Sequence, residues 1–268
     1  MSECDAYPPG VPCWVETLQR DPRAACAFYA GVFGWTFDEP GAMPGGGAYH
    51  VARQRGRDVA GIGAFPAQGA PTSPVWMTYV RVARIEDALA CVERAGGSVL
   101  VGPLDAPPAG RLAAIADPGG VSLCLWEAHA RAGAQVINEA GAWAMSALVT
   151  GDPERARAFY TDVFGWQAEP FAGAPGVVLW RLPGYVGGLP EQPVPRDVVA
   201  VMAPLPPNAP VPPHWSVDFW IADADAAAAA AARLGGRVLA PPHRELVFNR
   251  AVLADPEGAV FSVSQLVG

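Results

Sequence analysis

The sequence predicts an α+β protein built from four small strand–helix–strands modules, and three observations support this. Asp21–Trp35 and Asp152–Trp166 share ten identical residues of fifteen, at an offset of 131 residues. A weaker repeat relates Trp76–Ala128 to Trp215–Val267. Each segment combines helical periodicity with strand-like alternation. A period near half of the 268 residues indicates two copies of one unit.

The stronger repeat encodes a capped helix. Each copy opens with Asp-Pro, which supplies an N-cap acceptor and a residue tolerated in the first turn. A glycine then stands where a left-handed C-cap would end the helix, and a tryptophan begins an extended segment. The apolar residues at helical spacing are Ala25, Phe28, Tyr29 and Val32 in the first copy, and Ala156, Phe159, Tyr160 and Val163 in the second. We interpret these side chains as core.

The weaker repeat predicts a strand, a helix and a set of strands in each copy. WMTYVRV and WSVDFWIAD are extended, and each is followed by a helical pattern that ends in Gly-Gly. The turns at Asp117-Pro-Gly-Gly and Asp255-Pro-Glu-Gly precede the last strands. The apolar helix positions are Ile85, Ala88, Leu89 and Val92, and then Ala224, Ala227, Ala228 and Ala231.

The modules group into two predicted domains joined by a connection at 131–140. Ala128 to Gly141 lacks a sustained apolar pattern, so we expect a hinge there. Pro190 to Pro213 is proline-rich on both sides of VVAVMAPL, and we expect a mobile flap or covering loop. The predicted first domain is 1–130, with modules at about 11–66 and 74–128, and the second is 141–268, with modules at about 141–203 and 213–267.

Composition narrows the function classes. The net charge is −8, from 18 basic and 26 acidic residues without a basic stripe, so we expect no nucleic-acid partner. No apolar run is long enough to span a bilayer and the N-terminus lacks a signal pattern, so we expect a cytoplasmic protein without a membrane partner. Five widely spaced cysteines without a CxxC motif fit reduced thiols.

The Asp-Pro helix carrying AFY, the VFGW exit and the strand after Asp-Pro-x-Gly resemble the vicinal oxygen chelate superfamily. This superfamily includes glyoxalases, bleomycin-resistance proteins and extradiol dioxygenases. The resemblance covers nearly the whole chain and is greatest to tandem glyoxalase-like proteins of actinomycetes. It implies four βαβββ modules in two tandem glyoxalase-like domains, whose mixed sheets curl into cups. Because this fold hosts many chemistries, the resemblance alone does not select a function.

The resemblance also locates the metal positions of the family. Metal-dependent members use His or Glu near the start of a module's first strand, and Glu on its last strand. The matching residues here offer no imidazole or carboxylate, and they are Trp14, Met77, Met145 and Ser216 on first strands and Cys124 and Ser262 on last strands. Zinc, iron and manganese sites need several such donors, so we expect no metal at this position and no cofactor. An unusual site with His50 or His214 stays open.

Strand alternation predicts which side chains face the cups. An apolar, aromatic cavity with a few polar groups is typical of sites for small organic ligands. The predicted ligand-binding residues are Trp14, Glu16, Met77, Tyr79, Arg81, Trp126, Met145, Asp218 and Trp220, with Tyr49 and His243 from less regular segments.

Glu16 and Asp218 are the most informative polar residues, because each stands mid-strand between apolar neighbours. In an enzyme, one of them would be the general base, with a pKa raised by burial. In a binding protein they would orient the ligand. A salt bridge between Glu16 and Arg81 is the structural alternative.

The sequence therefore leaves three functions open. The favoured hypothesis is a metal-free protein that binds or sequesters a bulky apolar or aromatic metabolite or drug. The second is a metal-independent isomerase, lyase or cyclase that uses Glu16 or Asp218. The third is a metal-dependent glyoxalase or dioxygenase with displaced ligands. The expected partner is an aromatic small molecule, and the expected assembly is a monomer or homodimer. Which modules pair to form each cup stays open.

Overall fold

A computed structural model describes residues 4–44, 46–65, 73–187 and 195–267. The helices in this part of the chain are α1 Pro22–Phe33, α2 Ile85–Arg94, α3 Pro153–Phe164 and α4 Ala224–Arg233. The strands of the first half are β1 Pro12–Gln19, β2 Thr36–Phe37, β3 Gly41–Ala42, β4 Ala48–Gln54, β5 Arg57–Ala64, β6 Trp76–Arg81, β7 Ser98–Ala106, β8 Gly110–Ala116 and β9 Ser122–Ala128. Those of the second half are β10 Trp143–Thr150, β11 Gln167–Pro170, β12 Val178–Arg181, β13 Val198–Pro204, β14 His214–Trp220, β15 Arg237–Glu245, β16 Phe248–Ala254 and β17 Val260–Leu266.

The strands form two mixed sheets, one in each half of the chain. The first has the order β2-β4-β5-β1-β6-β9-β8-β7, with β3 beside β4, and the second has the order β11-β12-β13-β10-β14-β17-β16-β15. The α+β prediction is thus confirmed. Modules one and two share a sheet, as do modules three and four, which answers the pairing question. In each sheet two modules meet through an antiparallel pair, β1 with β6 and β10 with β14.

The repeated helices are capped as the sequence predicts. Asp21 accepts hydrogen bonds from the backbone N–H groups of Arg23 and Ala24, and Asp152 accepts one from that of Arg155. Gly34 and Gly165 end the two helices in the left-handed region, with φ of 74° and 73°. A residue with a Cβ would be strained there, which explains why glycine recurs at the same place in both copies.

The tyrosine of each repeated helix joins the two halves. Tyr29 on α1 accepts a hydrogen bond from Trp76 Nε1 (2.9 Å) and donates one to Asp255 Oδ2 in the other half (3.0 Å). Tyr160 on α3 does the same in reverse, accepting from Trp215 Nε1 (3.0 Å) and donating to Asp117 Oδ2 (3.1 Å). All six side chains are buried. One oxygen of each turn aspartate is therefore bound by the helix of the other half, while its second oxygen accepts from the backbone of its own turn.

The rest of the repeated block strengthens the same contact. Phe28 and Phe159 pack against the second glycine of the other half's Gly-Gly turn, where a Cβ would lie within 2.8 Å of the ring. Trp35 Nε1 donates to Gly141 O (2.6 Å) and Trp166 Nε1 donates to Gly10 O (2.7 Å). Each of these carbonyls lies just before the first strand of the opposite half. The block is core, as predicted, and that core lies between the halves.

The structure corrects two expectations about connecting segments. The flap expected over Pro190 to Pro213 is wrong for Val198–Pro204, which is an inner strand paired with β10 and β12. Its apolar run is buried on both faces, so the flanking prolines mark the ends of a strand. Residues 190–194 of that segment lie outside the described residues. The expected hinge is packed, because Ala134 and Val136 are buried and Ala134 N–H donates to Cys13 O (2.8 Å).

None of the helices in the described ranges is long and apolar enough to cross a membrane.

Replacing Tyr29 by Phe removes one hydroxyl and leaves two buried groups, Trp76 Nε1 and the Asp255 carboxyl, each with one partner fewer. We expect the free energy of unfolding to fall by about 1 to 2 kcal/mol, because the Trp76 N–H is left unsatisfied while Asp255 Oδ2 keeps the hydrogen bond from Gln19 Nε2 (2.7 Å). Urea denaturation at 25 °C measures the change. Tyr160→Phe should have a similar effect.

Tyr185→Phe is the control, because within the described residues the structure shows no hydrogen bond to the Tyr185 hydroxyl. Its effect should stay below about 0.5 kcal/mol. Equal stability of Tyr29→Phe and the parent would show that the contact between the halves does not depend on this hydroxyl.

Candidate functional site

A cavity of about 520 Å³ lies against the first sheet. We call it the first cup. Alternate residues of β1 and β6 face it, as strand geometry requires, so Trp14 and Tyr79 line it while Val15 and Val80 are buried on the other face. Its aromatic wall consists of Trp14, Tyr49, Tyr79 and Trp126.

A chain of hydrogen bonds runs across the floor of the first cup. Trp14 Nε1 donates to the Tyr49 hydroxyl (2.9 Å), and that hydroxyl donates to Glu16 Oε2 (2.7 Å). The Tyr79 hydroxyl donates to Glu16 Oε1 (2.6 Å) from the opposite side. β1 and β6 place Trp14 directly across from Tyr79, and β4 brings Tyr49 to the same face. Both carboxylate oxygens of Glu16 therefore have a phenol partner.

Burial controls the ionisation of this network. Glu16 is buried, and desolvation raises the pKa of its carboxyl above the usual range, although the hydrogen bonds from Tyr79, Tyr49 and Trp14 oppose the shift. Burial also holds the pKa values of both tyrosines well above their usual value. Cys124 pairs with Tyr79 in the sheet, and burial raises the pKa of its thiol to about 12. The thiol is neutral at physiological pH and is not a nucleophile there.

Two arginines stand at the edge of the first cup. The Arg131 guanidinium lies over the Trp14 ring, 5.5 Å from its centroid, and its Nε is 3.3 Å from Asp58 Oδ2. Arg53 bridges Asp58 and Asp38, at 3.1 and 2.8 Å. Trp126 Nε1 donates to the backbone carbonyl of Arg131 (2.9 Å). The aromatic wall is thus held from outside by ion pairs and from inside by the Glu16 network.

A second cavity, of about 490 Å³, lies against the second sheet, and we call it the second cup. Its floor includes Met145 and Asp218, which face each other across β10 and β14. Ala147 occupies the place that Glu16 has in the first half, and Asp218 the place of Tyr79. Each cup therefore has one floor carboxylate, but on a different module.

Asp218 is held more loosely than Glu16. Ser264 Oγ donates to Asp218 Oδ1 (2.9 Å), and Arg250 Nε lies 3.7 Å from the same oxygen. Arg250 is drawn away by Glu245 (3.1 Å) and Ser262 (3.0 Å). Within the described ranges the structure shows no hydrogen bond to Asp218 Oδ2. Burial raises the pKa of Asp218 to about 6, against the opposing effects of Arg250 and Ser264.

Eight of the eleven predicted ligand-binding residues line one or the other of the two cups. Trp14, Glu16, Tyr49, Tyr79 and Trp126 line the first cup, and Met145, Asp218 and Trp220 line the second. The other three, Met77, Arg81 and His243, line neither cavity.

Each of these three has a physical reason for lying elsewhere. Met77 packs against the buried core. The alternative salt bridge from Arg81 to Glu16 is not formed, because two phenols take both Glu16 oxygens. His243 was predicted in a loop but lies on β15, where it is exposed and its Nδ1 is 3.0 Å from Pro241 O.

Several cup residues escaped the sequence reasoning. Arg53 and Arg131 sit on β4 and on the connection between the halves, where no alternation pattern identifies a cup face. Tyr7, Val11 and Pro12 belong to the first half but line the second cup. They reach it because Trp166 holds Gly10 beside the second half. Arg250 could have been predicted. It pairs with Ser264 of β17, which alternation places on the cup face, so Arg250 lies on the same face of the sheet.

The donors at the family's metal positions do not fit a divalent ion. Trp14 and Met77 offer no oxygen or imidazole, and the Cys124 thiol is held neutral by its raised pKa. Across the described ranges, no three His, Cys, Asp or Glu side chains cluster as a metal site would require.

Comparisons with known proteins agree with this architecture. The Glyoxalase/Bleomycin resistance protein/Dioxygenase superfamily matches residues 14–125, and the Glyoxalase-like domain family matches residues 145–264. Among solved structures, the Mn(II)-bound glyoxalase of Novosphingobium aromaticivorans has a TM-score of 0.64 at 16% identity, over 97% of this chain and 83% of its own. The dioxygenase LapB of Pseudomonas sp. KL28 has a TM-score of 0.63 at 14% identity, over 97% and 94%. Such likeness shows the fold alone.

Two relatives are similar over nearly their whole length. CFP32 of Mycobacterium tuberculosis, provisionally named a glyoxylase, is 38% identical over 269 residues, which cover 98% of this chain and 97% of CFP32. The anthracycline biosynthesis protein DnrV of Streptomyces peucetius is 32% identical over 274 residues, 97% of this chain and 94% of DnrV. With its two matched domains in tandem, the chain belongs to the glyoxalase/bleomycin-resistance/dioxygenase superfamily, also called the vicinal oxygen chelate superfamily.

Proposed function

We propose that this protein binds a bulky aromatic small molecule in the first cup, without a metal. One observation carries the proposal, namely the continuous hydrogen-bond chain through Trp14, Tyr49, Glu16 and Tyr79. It fixes aromatic side chains around a cavity of about 520 Å³, which is within the usual range for ligands of drug size.

The network supports binding because it preorganises the wall. The N–H of Trp14 and the O–H groups of both tyrosines are already used inside the protein, so the rings need not reorganise when a ligand enters. Preorganised side chains lose little entropy on binding. Their ring faces suit offset or edge-to-face contact with a flat aromatic ligand. The fixed cup therefore favours shape recognition of fused rings.

The same network makes Glu16 a poor general base. A base needs a free lone pair within hydrogen-bond reach of the substrate, about 2.6–3.2 Å between heavy atoms. Each Glu16 oxygen already accepts a hydrogen bond from a phenol, so about two of the four lone-pair sites of the carboxylate are occupied. Removing either phenol would leave a buried carboxylate with less compensation. The role we assign to Glu16 is to hold Tyr49 and Tyr79 in place.

The relatives support a ligand of this kind. The name of DnrV connects that protein with anthracycline biosynthesis, and anthracyclines are fused-ring aromatic compounds. DnrV is similar to this chain along nearly its whole length. We carry over only the ligand class, an aromatic polyketide or a similar flat molecule.

Trp14→Phe should weaken binding of a flat aromatic probe five- to tenfold, because it removes ring area and frees the Tyr49 hydroxyl. The probes are the hydroxyanthraquinones alizarin and emodin, titrated while tryptophan fluorescence is followed. Trp143→Phe is the matched control, since Trp143 lines the second cup. Its effect should stay below about twofold.

Two outcomes contradict the first-cup proposal. One is that neither probe, nor any related polyketide, binds with Kd below about 100 μM, which is roughly −5.5 kcal/mol. The other is that Trp143→Phe weakens binding as much as Trp14→Phe.

A second candidate function rests on Asp218. Unlike Glu16, it has one oxygen without a hydrogen bond from the described residues, and its pKa is about 6. A carboxylate with these properties can take a proton from a bound substrate at neutral pH. We therefore keep a lyase or isomerase type of proton transfer in the second cup as the alternative.

Asp218→Asn tests this alternative, with Glu16→Gln as the matched carboxylate-to-amide control. If Asp218 is the base, kcat/KM for a converted ligand should rise as pH increases through about 6, because only the ionised form accepts a proton. Asp218→Asn should lower kcat at least a hundredfold. Equal turnover by Asp218→Asn and the parent would remove Asp218 from catalysis.

The raised pKa of Asp218 also predicts a pH dependence of stability that needs no substrate. The folded protein holds the Asp218 proton up to pH about 6, whereas the unfolded chain releases it near pH 3.8, the ordinary pKa of an aspartate. The stabilising contribution of the Asp218 proton to the free energy of unfolding is therefore complete below pH about 4, and it is lost as the pH rises through 6. Two pKa units correspond to roughly 2 to 3 kcal/mol.

Urea denaturation of the parent and of Asp218→Asn between pH 4 and 8 measures this contribution. The difference in unfolding free energy between the two proteins should shift in favour of the variant by about 2 kcal/mol as pH rises. A difference that is constant across this range would mean that Asp218 titrates normally in the fold.

A further inference from the structure

The second cup has a different wall from the first. Aliphatic and thioether side chains dominate it, and they come from both halves of the chain. They are Val11, Ile137, Met145, Val149, Val177, Leu179, Val198 and Val201. Aromatic rings also line this cup, but the larger aliphatic and thioether side chains outnumber them, whereas rings outnumber such side chains in the first cup. The aromatic residues are Tyr7, Trp143, Phe171, Tyr185, Trp220 and Phe248. A saturated ligand matches this wall better than a flat aromatic one, since its bulk is apolar in three dimensions.

A strained residue stands at the mouth of the second cup. β15 and β16 pair through Glu245 and Phe248, so Leu246 and Val247 form a two-residue hairpin turn. Leu246 has a φ of 54°. Glycine, asparagine or aspartate normally occupy such a position, because a branched apolar side chain is strained in the left-handed region. Among the described non-glycine residues, only Arg55 and Asn138 share a positive φ, and Asn138 also lines this cup.

The turn is held in its strained form from both sides. Arg244 Nε donates to the Leu246 carbonyl (2.9 Å), and Val267 N–H donates to the Val247 carbonyl (2.9 Å). The side chains it presents are half-exposed, 50% for Leu246 and 42% for Val247, although both line the cavity. Strain and apolar exposure are each unfavourable in the free protein. An apolar ligand in the cup would bury these two side chains and so offset the cost of their exposure, and the strained turn is what holds them over the ligand.

The polar side chains at one end of the second cup determine which polar group a ligand can carry there. Asp218 Oδ2 is open to an incoming donor, while Arg250 is engaged by Glu245 and Ser262. Arg196, also in the wall, donates to the Gly187 carbonyl (3.1 Å). A carboxylate ligand would meet Asp218 and Glu245 at this end. A hydroxyl would instead donate to Asp218.

We propose that the second cup is a separate site for a saturated, compact aliphatic alcohol, of the terpenoid or reduced polyketide class, and that Leu246 closes over it. The hydroxyl of the ligand donates to Asp218, and its hydrocarbon body fills the aliphatic wall. This inference does not depend on the first cup, because the two sites share no lining residue.

The test uses bridgehead adamantanol, with adamantane carboxylate as the anionic counterpart, in calorimetric titrations at pH 8. Adamantanol should bind at least tenfold more tightly than the carboxylate. Leu246→Ala, which shortens the side chain and keeps the strain, should weaken adamantanol binding about fivefold. Leu100→Ala is the matched control, since Leu100 is 53% exposed and lies on the first sheet. It should leave the affinity unchanged.

Leu246→Gly separates a ligand contact from a structural role. It should weaken adamantanol binding at least as much as Leu246→Ala, while the Tm of the free protein rises by about 2 °C because the backbone strain is relieved. Trp14→Phe should keep full affinity for adamantanol, so failure of the first-cup proposal is distinguishable from failure here.

Three results overturn the proposal. They are the absence of saturable adamantanol binding below about 1 mM, equal binding of the alcohol and the carboxylate, and an affinity of Leu246→Ala equal to that of Leu100→Ala.

Discussion

The reciprocal hydrogen bonds from Tyr29 to Asp255 and from Tyr160 to Asp117 are the constraint on which the rest of this structure depends. They join the helix of each half to a buried turn of the other, and Phe28 and Phe159 fill the glycine-lined gaps beside them. Each carboxyl group is also anchored in its own turn, Asp255 by three backbone N–H groups and Asp117 by one, so the tyrosine hydroxyl bonds a group that tolerates little displacement. Both sheets are therefore fixed back to back through their helices, and the cavities are left on the outer faces.

The repeat fixes the scaffold and leaves the cups free to differ. The floor carboxylate is Glu16 on module one in the first cup and Asp218 on module four in the second. Glu16 accepts hydrogen bonds from two phenols, whereas Asp218 accepts one from Ser264 and lies 3.7 Å from an arginine that is shared with Glu245. Duplication thus supplied two cavities of nearly equal size with unlike linings. The two halves thus share one backbone framework, and different side chains line the two cavities.

Most of the fold was predictable from sequence, because caps, Gly-Gly endings and alternation are local signals. The cup faces of β1, β6 and β14 followed from alternation alone, which is why Trp14, Tyr79 and Asp218 were placed correctly. Alternation also predicted Met77 and Arg81 on the cup face of β6, but they line neither cup, and the other failures are non-local. The burial of Val198–Pro204 depends on strands on either side, and the position of Tyr7 in the second cup depends on a hydrogen bond from Trp166 to Gly10. Neither contact produces a periodic pattern of residues from which it could be predicted.

The separation in sequence of the joining contacts has a consequence for synthesis. Tyr29 and Asp255 are 226 residues apart. At about 5–20 residues per second, the ribosome needs on the order of 10 to 45 s to make the partner of a helix that emerged near the start. During that interval Tyr29 has its contacts with Trp35 and Trp76 available but lacks Asp255 and Phe261. The core between the halves is thus completed almost last, and the time for which its first-half surface is exposed to chaperones and to misassembly is set by translation.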